Sequence, residues 1–176
     1  YLNTIVTAYY QFKSKHKVQE YAKWFMKLLS TSDPMVIFVE PNSAWTDFVV
    51  KRRVHAPTLV VPLPFARLTM NRRFAESFWQ EQVVLNHERD KESAGMIKGG
   101  SGVYKIWNEK MIFMHATAQL NPFKTKLFAW FDAGYFRMNA KHRVNEPLTR
   151  LDVTTVGVTD ETVFFNHIDI PKSHKL

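Results

Sequence analysis

The chain contains no cysteine. Disulfides, thiolate nucleophiles and Cys-ligated zinc are therefore excluded, although cytosolic and exported proteins alike can lack the residue. No apolar run approaches the roughly 20 residues that span a bilayer, and no secretory leader is visible. The P-loop lysine pattern is missing. The seven histidines, His16, His55, His87, His115, His142, His167 and His174, show no zincin spacing. A Ser/His/Asp set can be assembled on paper, but no nucleophile elbow supports it. There is no internal repeat. The chain starts at Tyr1 without an initiator Met, with strand-like residues close behind, so a trimmed N-terminus is expected and a targeting segment would be invisible.

What remains is an aromatic-rich globular composition. Of 176 residues, 45% are hydrophobic, 14% aromatic and 23% charged, enough for one domain (1–176) with a sizeable core. A net charge of +8 and a pI near 9.7 favour anionic partners. The basic residues are dispersed, which argues against nucleic acid. The clusters Lys13 to Lys17, Lys51-Arg52-Arg53 and Arg72-Arg73 read as solvated faces.

Strand and helix patterns alternate. Thr4 to Tyr10, Met35 to Glu40 and Thr58 to Leu63 read as strands. Helices are predicted over Lys17 to Ser30, from a cap in Pro41-Asn42-Ser43 to about Arg53, over Arg73 to Leu85, and over Val103 to Leu120. In the last of these, Ile106, Trp107, Phe113, Met114 and Ala118 are available for a buried face. Residues 86–102 read as a loop ending in Gly99-Gly100-Ser101-Gly102. That ending is a phosphate-binding nest, or simply a loop or a linker replacing a longer one. Asp152 to Gly157 and Thr162 to Phe165 resemble a hairpin, followed by a polar tail. The order predicts an α/β fold: three layers, a mostly parallel sheet with flanking helices.

The segment Leu127 to Arg137 carries the most chemistry. Its apolar run predicts a strand covered on both faces, and Asp132 follows at the carboxyl end, where open α/β sheets bind ligands. Gly134 is expected to serve a close approach or a positive φ, and Arg137 supplies a cation. A carboxylate and a guanidinium there suit a divalent metal on a phosphorylated ligand. The same pattern also describes a buried strand whose Asp merely begins a turn. In the preceding helix, Tyr104, Trp107 and Met111 share a face, and Asn108 and Lys110 are further ligand candidates.

Six blocks occur in order: Thr4 to Tyr10, Pro34 to Phe38, Phe78-Trp79-x-x-Gln82, Ile106 to Lys110, Asn121-Pro122-Phe123 and Trp130 to Arg137. Together they resemble the HtrL/YibB family of bacterial lipopolysaccharide and capsule loci over about residues 4 to 137. That family is similar to GT-A nucleotide-diphospho-sugar transferases. The resemblance implies a nucleotide-binding half over 1–137, with 138–176 beginning an acceptor-side region or tail. It places Thr7, Ala8 and Tyr9 at the nucleotide edge and Asp132 on Mn²⁺ or Mg²⁺; Asn108, Lys110 and Arg137, read from their own positions, are the further nucleotide-binding candidates. The usual Asp-x-Asp motif is here Asp132-Ala133-Gly134, and the family's cysteines beside this Asp are Phe131 and Tyr135. The implied activity is glycosyl transfer from a nucleotide-diphosphate sugar to a glycan acceptor, in the cytoplasm or at the inner face of the membrane. The rival expectation is a non-catalytic, degenerate GT-A module that binds an anionic glycan or nucleic acid. A third is another α/β phosphotransfer or hydrolase domain, which the fold alone leaves open.

Overall fold

The structure is a computed structural model, described over residues 3–12, 16–89, 100–138 and 147. Four strands form one parallel sheet in the order β3-β2-β1-β4: β1 Asn3–Tyr9, β2 Met35–Val39, β3 Thr58–Pro62 and β4 Leu127–Trp130. The chain therefore winds outward from β1 through β2 to β3, then crosses back to place β4 on β1's other side. That reversal is a switch point, where the carboxyl edge of an open sheet opens a crevice.

Side chains alternate across the sheet and divide the core in two. Ile5, Tyr9, Ile37 and Val39 face helices α1 (Val18–Leu29) and α2 (Ala44–Arg52), packing on Phe25, Leu28, Leu29, Trp45 and Val49. Val6, Ala8, Val36 and Phe38 face the other way, onto Leu68 and Phe113. Phe113 belongs to α5 (Gly102–Leu120), which covers that face together with the short α3 (Thr69–Arg73). Helices on both faces make this a three-layer α/β fold, as the alternating pattern predicts.

Local chemistry explains the element ends. The Ser43 hydroxyl accepts from the Thr46 N–H at 3.3 Å and starts α2. Asn121 closes α5 at φ 38, its N–H bonded to the Thr117 carbonyl, while its side-chain amide bonds both backbone groups of Thr125. Pro62 ends β3, an edge strand, where a missing N–H is tolerated.

Several expectations are corrected. The helix predicted over Arg73 to Leu85 is present as α4 (Glu76–Arg89), starting three residues later; a further short helix, α3, precedes it, with Phe74 extended between them. Phe74 leaves helical geometry to stack on Phe78 and meet Trp79 edge-on, at 4.8 and 5.7 Å between centroids. Residues 86–89, predicted as loop, continue α4. β4 is half-buried rather than fully buried over its four residues, and it is the outermost strand beside β1 among the described residues. In α5 the buried stripe is Lys105, Glu109, Phe113 and Thr117, whereas Trp107 and Ala118 are exposed. Gly134 has no positive φ, and a side chain there would meet Tyr21 and Trp24 at ordinary contact distance. Arg53 is not on a solvated face. Its buried guanidinium donates to Thr58 and to the carbonyls of Leu29, Thr31, Asp33 and Pro57, tying together the loops at the sheet's amino edge. The hairpin expected after residue 150 lies outside the described residues.

Candidate functional site at the carboxyl edge

Asp132 owes its position to the way the chain leaves β4. The Phe131 N–H still bonds the Val6 carbonyl at 3.0 Å, extending the ladder one residue past Trp130. The Tyr135 N–H then bonds the Asp132 carbonyl and begins a 3-10 turn, Tyr135–Met138. Strand-like alternation persists through the exit: Phe131, Ala133 and Phe136 pack into the α1 side of the core. Asp132 is thereby turned to the α5 side, where its side chain is 59% exposed.

Two donors hold the carboxylate there. The Lys110 ammonium reaches both oxygens, at 2.8 and 3.2 Å, and the Trp130 indole N–H donates to Oδ1 at 3.0 Å. Lys110 also lies 5.5 Å from the Trp130 ring centroid, a cation–π distance. Trp130 is fixed by stacking on Phe113 (6.0 Å, 7° between planes), which stacks on Phe38 of β2 at 4.4 Å. An aromatic ladder through the core thus ends in the group that aims Asp132.

Helix α5 is anchored on its far side by two buried charges. Glu109, 1% exposed, accepts from the Thr69 and Met70 N–H groups at 2.9 and 2.8 Å, satisfying the first amides of α3. Lys105 pairs with Glu76 of α4, which also accepts from the Ser101 hydroxyl. These contacts, with Lys105 first and Ser101 next, lower the Glu76 pKa to about 2. Fixing Glu109 fixes the rotation of the helix, and so the direction of Lys110.

The sequence-predicted site residues divide. Asp132 and Lys110 are brought together. Arg137 is exposed five residues beyond Asp132 and forms no ion pair among the described residues, so the cation on this carboxylate is Lys110 rather than a guanidinium. Asn108 does not join them: its amide donates to the Tyr104 carbonyl one turn back. Thr7, Ala8 and Tyr9 are the last three residues of β1, at its carboxyl end, and all three are buried. Thr7 and Tyr9 turn toward α1 and α2, and only Ala8 shares Asp132's face. Burial raises the Tyr9 and Tyr10 phenol pKa values well above the usual range. The strand's true exit is Tyr10 to Phe12, where the Tyr10 hydroxyl donates to the Leu63 carbonyl. The Gly-rich stretch is no open nest at its described end. Ser101 is buried, and a Cβ on Gly102 would stand 2.7 Å from the Phe12 ring, so an aromatic side chain occupies the space before α5.

Among the described residues, no three His, Asp or Glu side chains converge on one point. Asp132 alone does not cage a resident metal. One exposed carboxylate does suit Mg²⁺ or Mn²⁺ arriving on phosphate oxygens, with water in the other positions. No helix among the described residues is long and apolar enough to cross a membrane.

Lys105, Glu109 and Trp130 were not singled out from the sequence. Charged residues at i and i+4 on a helix normally read as solvated, and only the partner helices α3 and α4 reveal their burial.

No curated protein and no solved structure matches the chain significantly. A family model described as a bacterial protein of unknown function (HtrL_YibB) matches residues 3–152 of the 176, and the chain belongs to that family.

Proposed function

We propose that the chain is a GT-A-like glycosyltransferase that moves a sugar from a nucleotide-diphosphate donor to a glycan acceptor. One observation carries this reading: an exposed carboxylate bound to a lysine ammonium at the carboxyl edge, beside β1 and at the sheet's switch point. Family membership is compatible with it and assigns no activity.

Sugar transfer breaks the bond from the anomeric carbon to the diphosphate oxygen while the acceptor oxygen forms a new one. Negative charge grows on the leaving phosphate, and pre-placed cations lower the barrier. Lys110 holds Asp132 directly, and Arg137 follows it by five residues in the chain. Lys110 would pass from Asp132 to a phosphate oxygen, leaving the carboxylate for a cation that the diphosphate brings. That cation would supply Lewis-acid charge stabilisation.

Calorimetric titration of nucleoside diphosphates tests the reading. With Mn²⁺, Asp132→Ala is expected to weaken binding by about tenfold or more, the worth of a charge-assisted contact. Without Mn²⁺ the same substitution should leave affinity equal or higher, because it releases Lys110. Lys110→Ala should weaken binding in both conditions. Equal binding by wild type and Asp132→Ala with Mn²⁺ removes Asp132 from the site.

A further inference from the structure

Resting on the reading of Asp132 and Lys110 as a diphosphate seat, we propose that Trp107 is the platform on which the donor's nucleobase stacks, with Tyr104 as its brace. The argument begins with lengths. Helix α5 has 19 residues, about 28 Å, whereas β4 has four, about 13 Å. Lys110 meets Asp132 just past the end of β4, and α5 runs antiparallel to the strands. The helix turns before Lys110 therefore project beyond the carboxyl edge and wall one side of the crevice. Lys105 and Glu109 pin this projecting part from behind, through Glu76 and α3.

Trp107 stands on the face of α5 away from these two anchors and about 60° round the helix from Lys110. It is 42% exposed and joins neither apolar cluster of the core. Tyr104 meets its ring edge-on, 5.5 Å between centroids at 72°, and limits how the indole can turn. Trp107 precedes Lys110 by three residues, so their Cβ atoms are about 5–6 Å apart and about 60° round the helix. Helical side chains lean toward the N-terminus, which carries the indole out past the ammonium. A group attached to a diphosphate on Lys110 would leave along this ring.

The stripe's chemistry selects a base over a sugar. Met111 continues it, 56% exposed, and the Asn108 amide beside it is committed to the Tyr104 carbonyl. Sugar hydroxyls need polar partners, whereas a base needs a flat apolar face, and every base has one.

Calorimetry with UDP, dTDP, GDP, ADP and CDP, each beside inorganic pyrophosphate and all with Mn²⁺, separates the platform from the seat. Trp107→Leu keeps an apolar side chain without a π face, and Trp107→Tyr restores one. The expected result is about a tenfold loss of the preferred nucleotide with Trp107→Leu, unchanged pyrophosphate, and recovery of most affinity with Trp107→Tyr. Nucleotide affinity equal to wild type in Trp107→Leu overturns the platform, as does an equal loss for both ligands. Pyrophosphate binding that survives Lys110→Ala overturns the seat itself, a result that leaves the Trp107 comparison readable.

Discussion

At the scale of single residues, what matters is which charges are buried and against what. Asp132 was legible because a carboxylate directly after an apolar run is conspicuous and strand alternation carries it to a definite face. Lys110 was legible as a candidate only. Its pairing depends on where α5 crosses β4, which no spacing within the helix states. Glu109, one residue earlier, was invisible, although it sets the rotation that aims Lys110. Replacing Glu109 by Ala leaves the Thr69 and Met70 N–H groups without their acceptors in a buried setting. The expected loss is about 2 kcal/mol or more of folding stability. Chemical denaturation of the variant against wild type measures it, and an unchanged midpoint would show that α3 does not depend on this carboxylate.

At the scale of elements, helix and strand types were readable from periodicity, and the failures fall where tertiary contacts override it. The helix read over Arg73 to Leu85 is α4, its start placed three residues early because nothing there is a strong breaker. The interruption at Phe74 is produced by its stacking on Phe78 and Trp79. On α5, Ile106, Phe113 and Met114 pack into the core as read, whereas Lys105 and Glu109 were missed from the buried stripe because their partners lie about 30 and 40 residues upstream. The α4–α5 connection has a pH signature. Glu76 is lowered from 4.5 to about 2, chiefly by Lys105 and then Ser101. A carboxylate whose folded pKa is depressed contributes stability above its unfolded value and loses that contribution as pH falls toward the folded one. With the Glu76 side chain 57% exposed, solvent screening limits the effect to about 1 kcal/mol. Thermal melts of wild type and Glu76→Gln are therefore expected to differ most above pH 5 and to converge between pH 4.5 and 2. A difference that persists unchanged to pH 2 would mean that the ion pair is not its source.

At the scale of the whole molecule, alternation of strand and helix patterns is enough to indicate a parallel sheet, but not strand order. That β4 lies on β1's open side is settled by Val6 and Trp130 standing level and by the apolar faces that β1 must cover on both sides. The order creates two unlike rims. The amino rim is closed by Arg53, whose donors satisfy the loop carbonyls there, and is built for stability. The carboxyl rim carries an exposed acid, a lysine and an outward-facing indole. The net charge of +8 adds a general attraction for anions that does not depend on this rim, and salt weakens it. Site-specific binding must therefore be judged by position, not by affinity alone.

The most direct measurement is a crystal structure determined with a nucleoside diphosphate and Mn²⁺. The account predicts diphosphate density against Lys110, with the cation between it and Asp132. A nucleotide bound at the amino rim, or one bound elsewhere while Lys110 remains on Asp132 at 2.8 Å, would contradict it.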